Sequence, residues 1–325
     1  MTRIIKVSEI ARDIKEMKIR GAGNIARQAA KALIITAQQC KSKKPSRLME
    51  ELETSAKLLL QTRPTAVSLP NSIRHIMLSA KKALKQKLEF EEFRQIIIDT
   101  ANDFIQNSAK AILQIGKIGA GRIEDGDRII THCNSATVNA ILKTAFNQDK
   151  DFKVVVCETR PRYQGRITAR ELSQVGIPTT LIVDSAAHFF MRKIDKAIVG
   201  ADAIVANGAL VNKIGTSMLA LAAHEARVLF FVAAETYKFS PETMLGQLVK
   251  IEERNSSEII PENELVRMPN ITVRNPAFDI TPPEHIDLII TEKGIIPPQA
   301  AITIIREEFG SIRTDDLLNY KTSSG

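Results

Sequence analysis

From Arg128 to Glu292 the chain repeats one pattern, a short run of β-branched and aliphatic residues followed by a helical stretch. The runs are RIITHC, KVVVCETR, TTLIVD, KAIVGAD, VLFFVAAE and DLIITE. Runs this short and this apolar are buried strands, and strands that alternate with helices imply a parallel sheet covered on both sides. The turn signal Glu124-Asp125-Gly126-Asp127 opens this half. Before it, from Val7 to about Gly121, apolar residues recur at helical spacing, as in Ile25, Ala29, Leu33 and Ile34, and again in Phe93, Ile97, Ala101 and Phe104. The expected fold is α/β: an N-terminal helical domain with its connecting helix over residues 1–121, then a Rossmann-like domain over 122–325 with helices on both faces of a parallel sheet.

Pro64 and Pro70 interrupt the helical half in TRPTAVSLPNSI, where Ser68 or Asn71 is placed to cap the next helix. Only the terminal KTSSG reads as disordered. No apolar stretch approaches the roughly 18 residues that span a bilayer, and the amphipathic N-terminus has no signal-peptide pattern, so the expected location is the cytoplasm without membrane contact. Cys40, Cys133 and Cys157 have no CxxC spacing, which predicts free thiols and no zinc site. The net charge of +8 suits polyanions in general, while the absence of Trp and the scarcity of Tyr remove the stacking surface of a nucleic-acid binder.

In a doubly wound sheet, ligands sit at the carboxyl ends of the strands. Cys133 ends the first run and precedes a helix that Asn134 or Ser135 can cap, so the helix dipole would favour its thiolate near neutral pH; the alternative is a small apolar filler. Asp202 follows Gly200 and Ala201 at the end of another run, where a carboxyl among apolar neighbours can hold a proton; the alternative is a turn cap. Arg20-Gly21-Ala22-Gly23 leads into a helix expected from Asn24, an arrangement that suits a phosphate and equally suits an ordinary turn. Arg63, Asn212, Lys213 and Lys238 lie near element ends, and each alone reads as a solvated surface residue. His132 can hydrogen-bond a ligand or cap a strand, and His188 reads as packed on a helix.

Taken together, RGAGNIAR, TRPTAVSLPN, THCNSA, ETRPRYQG, VGADAIVANGALVNKIGT, AAETYKF and NPAFDITPPEHIDLIITEKGIIPP resemble one superfamily almost from end to end. It contains the methylthioribose-1-phosphate isomerases, the archaeal ribose-1,5-bisphosphate isomerases and the regulatory subunits of the exchange factor for translation initiation factor 2. The likeness is closest to the ribose-1,5-bisphosphate isomerases. Ala209 stands where the methylthioribose enzymes carry an acidic residue, and Cys133 with Asp202 are the pair that the exchange-factor subunits generally lack.

The resemblance implies conversion of α-ribose 1,5-bisphosphate to ribulose 1,5-bisphosphate in archaeal AMP salvage. The alternatives are a methylthioribose-1-phosphate isomerase and a non-catalytic regulatory subunit. By the same resemblance Cys133 and Asp202 transfer protons; the chemistry of ring opening makes Asp202 the acid and a Cys133 thiolate the base, and closure of the helical half over the sheet is expected to exclude solvent. Phosphate binding maps onto Arg20, Gly21, Ala22, Gly23, Arg63, Ser135, Ala136, Thr137, Asn212, Lys213 and Lys238. No metal or cofactor is implied, AMP is a possible activator, and the chain is expected to form a homo-oligomer, dimer or hexamer.

Overall fold

The computed structural model describes residues 2–63 and 66–310. Pro64 and the KTSSG terminus lie outside the described residues. Contacts divide the chain inside a long helix, with Ala111–Glu308 forming one compact unit and the helices up to Lys110 another.

The helical unit holds α1 (Thr2–Lys15), α2 (Ala22–Gln39), α3 (Pro45–Leu60), α4 (Ser68–Lys85) and the first part of α5 (Phe90–Ala120). Its core interleaves Ile25, Ala29 and Leu33 of α2 with Leu48, Leu52 and Leu59 of α3, Ile73 and Ile76 of α4, and Phe93 and Ile97 of α5. The apolar stripes read from the sequence are thus the faces that meet. Pro45 occupies the first turn of α3, where its missing N–H would have no helical partner anyway. Neither expected cap acts on α4. Ser68 Oγ instead donates to the carbonyl of Ala22 (2.9 Å), and Asn71 Oδ1 accepts from Arg74 (2.9 Å). The expected division at residue 121 also shifts, because Ile115 and Ala120 of α5 belong to the core of the second unit.

In the second unit, β1 (Arg128–His132), β2 (Lys153–Cys157), β3 (Thr179–Ile182), β4 (Lys196–Gly200), β7 (Leu229–Ala233) and β9 (Leu288–Thr291) are the six runs read from the sequence. They pair in parallel, and β10 (Gly294–Ile296) adds an antiparallel edge in the order β10-β9-β7-β4-β1-β2-β3. On one face, α6 (Ala136–Phe146) and α7 (Gln164–Gln174) bury Ile129, Val154, Val156, Ile198 and Phe231. The alternate residues Ile130, Ala197, Val199 and Val232 are also buried, on the face where α9 (Thr216–Ala226) packs against β4 and β7. Chain order reverses between β1 and β4, and such a switch point opens a crevice beyond the strand ends.

The sequence reading did not anticipate a second, antiparallel sheet of β5 (Ala203–Ile204), β6 (Leu210–Lys213) and β8 (Phe278–Thr281). Its strands are two to four residues long, and β8 pairs with β6 across 65 residues of chain, in the register Asn212↔Asp279. The short helices α8 (Ala187–Met191), α10 (Glu262–Leu265) and α11 (Ala301–Phe309) complete the elements. His188 of α8 is exposed beside Glu225 (3.0 Å) rather than packed, because α8 turns that face to solvent.

Candidate active site

The two central strands deliver the two proton-transfer candidates. Cys133 follows β1 directly and Asp202 lies two residues beyond β4, so both stand at the switch point. Cys133 takes a left-handed backbone (φ 70°), uncommon for a residue with a side chain. Two threonines hold it there: its N–H donates to Thr159 Oγ1 (2.8 Å), and its carbonyl accepts from Thr168 Oγ1 (2.9 Å). Thr159 is itself fixed by Asp184, which accepts the N–H groups of Thr159 (2.8 Å) and Arg160 (2.7 Å).

Burial pushes the Cys133 thiol up to about 11, opposed by Lys213, and the carboxylate of Asp202 adds to the rise. The N–H of Asn134 and the charge of Arg254 pull the other way. The resting protein therefore carries a thiol, not the thiolate expected from the following helix. That helix begins at Ala136 with Ser135 as its cap, three residues beyond Cys133, and desolvation outweighs so distant a dipole.

Gly200 ends β4 against Ser135. A Cβ at Gly200 would lie 2.4 Å from Ser135 Oγ, so only glycine lets the Cys133 turn sit this close to the strand. The hydroxyls offered to a phosphate are occupied within the fold. Ser135 Oγ accepts from Val138 (3.4 Å) and bonds Thr137 Oγ1 (2.8 Å), which also donates to the carbonyl of Ala233 (3.2 Å). Ala136 begins the helix.

Asn212, Lys213 and Lys238 are buried, unlike the solvated residues their type suggests, because the small sheet and the loop after β7 cover them. Lys213 Nζ donates to the carbonyl of Ala277 (2.9 Å) and lies over the ring of Phe278 (4.6 Å). Asn212 donates to Thr216 Oγ1 (3.1 Å). Lys238 Nζ pairs with Glu235 (2.6 Å), whose other oxygen accepts from Tyr237 (2.9 Å).

In the helical unit, α2 starts at Ala22, earlier than the expected Asn24, with Gly21 at its cap position in a conformation (φ 80°) that favours glycine. Gly23 lies in the first turn. Arg20 Nε donates to the carbonyl of Met17 (2.6 Å), and Arg63 reaches the sulfur of the same residue (3.6 Å). The structure thus places Arg20 and Arg63 against the same residue, Met17, in the segment before α2.

Asp279 and Arg254 receive no role in the sequence analysis, and His132 reads there as a ligand hydrogen-bonder or a strand cap. His132 is buried with neither ring nitrogen hydrogen-bonded, and burial pulls its pKa down to about 4, so it is neutral. Asp279 accepts the N–H groups of Gly215 (2.7 Å) and Ser217 (3.1 Å) at the start of α9, and burial pushes its carboxyl up to about 6. Its position in NPAFD was a visible signal. Arg254, in an irregular segment with charged neighbours, carried none.

Residues 18–298 match the family model described as the initiation factor 2 subunit family. The chain is 57% identical over 306 residues to ribose 1,5-bisphosphate isomerase of Pyrococcus furiosus, covering 94% of each sequence. Its fold resembles the translation initiation factor eIF-2B of Pyrococcus horikoshii OT3, with TM-score 0.78 and 37% identity over 91% of this chain and 98% of that one. It also resembles the 5-methylthioribose 1-phosphate isomerase of the same organism, with TM-score 0.75 and 32% identity over 93% of this chain and 87% of that one.

Proposed function

This chain belongs to the initiation factor 2 subunit family, and on that premise we propose that it is an aldose–ketose isomerase converting α-ribose 1,5-bisphosphate to ribulose 1,5-bisphosphate. The observation that carries the chemistry is the meeting of Cys133 and Asp202 at the ends of β1 and β4. A thiol beside a carboxylate holds one proton between two bases, which is what an isomerisation without net proton change requires.

The cycle starts with the proton on Cys133. Asp202 passes it to the ring oxygen as the C1–O bond breaks, leaving a thiolate. The burial that keeps the resting thiol protonated makes this thiolate a stronger base, and it removes the proton from C2 to give an enol phosphate. Cys133 then protonates C1 while Asp202 takes the proton of the 2-hydroxyl, forming the ketone. Return of that proton from Asp202 to sulfur restores the starting state. Asn212, Lys213 and Lys238 form one candidate phosphate patch, with the N–H groups at the start of α6. In the helical unit, Arg20 to Gly23 with Arg63 form a separate candidate phosphate patch. In this reading the chain works as a cytoplasmic homo-oligomer, and among the described residues no helix is long and apolar enough to cross a membrane.

The test is turnover and substrate binding by Cys133→Ser and Asp202→Asn. Each is expected to lose nearly all turnover while still binding the bisphosphate. Substantial turnover by either variant removes it from the proton path.

A further inference from the structure

Strands β1, β2 and β3 lie side by side and end level, in the register His132↔Cys157 and Cys157↔Ile182. Just past those rows, the N–H of Glu158 still reaches the carbonyl of Ile182 (2.8 Å). Beyond that bond the chains turn away from the sheet, and their N–H groups need other acceptors.

Two side chains supply them and extend the sheet by one row. Asp184, just past β3, accepts the N–H of Thr159 on Oδ1 (2.8 Å) and that of Arg160 on Oδ2 (2.7 Å). The ring of His132 stands 3.8 Å from the same carboxylate without a hydrogen bond, so both oxygens serve the 159–160 segment. Thr159, just past β2, accepts the N–H of Cys133 on Oγ1 (2.8 Å). The proton of that hydroxyl goes to the carbonyl of Cys157 (3.1 Å), which leaves its lone pairs for Cys133 and gives the bond one direction. Thr159 is fully buried and stands at φ 64°, bonded to Cys133 at φ 70°. A β-branched residue is strained in this left-handed region, where glycine is relaxed. Glycine would leave the Cys133 N–H without its acceptor, so what threonine adds here is the oxygen.

We propose that Thr159, clamped by Asp184, is a positioning residue whose hydroxyl fixes the Cys133 turn and so sets where the sulfur stands relative to Asp202. Cys133 is the first residue beyond the paired rows of β1, so the ladder does not hold it, and a reacting group outside the ladder depends on its supporting hydrogen bonds. The inference rests on the isomerase reading for its purpose, and the clamp itself is tested without substrate.

The experiment uses Thr159→Val, Thr159→Ser and Asp184→Asn in the full chain. Valine keeps the shape and removes the oxygen, serine keeps the oxygen, and the amide of asparagine keeps one accepting oxygen of two. Hydrogen exchange at the Cys133 amide is read first. Thr159→Val is expected to exchange there about tenfold faster than the parent, with β4 and β7 unchanged, and Thr159→Ser to stay near the parental rate. In steady-state kinetics Thr159→Val is expected to lose roughly 10- to 100-fold in kcat with KM within about twofold. Asp184→Asn should lose less, in the same direction, and Thr159→Ser should recover most of the loss. Parental exchange or parental kcat in Thr159→Val, equal losses in the serine and valine variants, or a loss confined to KM would overturn the proposal. Faster exchange spread over β4 and β7 in both Thr159→Val and Asp184→Asn would mark a merely structural role and overturn it too. A parent without turnover whose variants show the expected exchange keeps the clamp and defeats the isomerase reading, and an active parent with parental exchange in Thr159→Val does the reverse.

Discussion

Gly200→Ala is the smallest change that should reach the chemistry from outside it. The added Cβ would lie 2.4 Å from Ser135 Oγ and 2.6 Å from Ser135 Cβ, where comfortable contact begins near 3.4 Å, so Ser135 must retreat by about 1 Å. Rotating the hydroxyl away does not suffice, because Ser135 Cβ is also too close. Overpacking of this kind costs about 1–3 kcal/mol. Drawing Ser135 Oγ away from Val138 N–H weakens the cap of α6, for about 1 kcal/mol more. The expected loss is about 2–4 kcal/mol, read as a lower urea midpoint. Cys133 lies two residues away in the same turn, and misplacement of a reacting group by about 1 Å costs on the order of 100-fold in kcat. Ser135→Gly in the same chain removes both clashing atoms and leaves a residue that caps nearly as well, so the double variant should regain most of the stability. Parental stability in Gly200→Ala, or no recovery in the double variant, would refute the steric argument.

Two further perturbations test other parts of the structure. Asp279 has a folded pKa of about 6, above its ordinary 3.8, so its contribution to stability is full below about pH 4 and is lost as pH rises through 6. Asp279→Asn should flatten the stability profile between pH 4 and 7 by up to about 3 kcal/mol, and urea midpoints with the parent's pH slope would contradict this. Lys196 pairs with Asp127 at 2.6 Å under the sheet with both side chains nearly buried, so Lys196→Met should cost about 3–5 kcal/mol and Lys196→Met with Asp127→Leu much less. Equal losses in the single and double variants would show that the pair is not the cause.

The main sheet was legible because its strands are buried on both faces, so each reads as an apolar run whatever its partners. Strand ends then located Cys133 and Asp202, since the sheet-end rule needs no knowledge of register. The small sheet was hidden because Ala203–Ile204 is too short to show periodicity and Phe278–Thr281 finds its partner far along the chain. Side-chain states were the least legible. Whether Cys133 is thiol or thiolate depends on burial and on the charges of Lys213, Asp202 and Arg254, and neither is visible in THCNSA. The burial of Lys213 and Lys238, and the occupied hydroxyls of Ser135 and Thr137, are likewise products of packing that residue type alone does not announce.

The central claim is isomerisation of a ribose bisphosphate, and its most direct test is turnover of the purified chain on α-ribose 1,5-bisphosphate, with methylthioribose 1-phosphate in parallel. The account predicts ribulose 1,5-bisphosphate from the first sugar and no product from the second. Product from methylthioribose 1-phosphate alone, or from neither sugar in a folded protein, would contradict it.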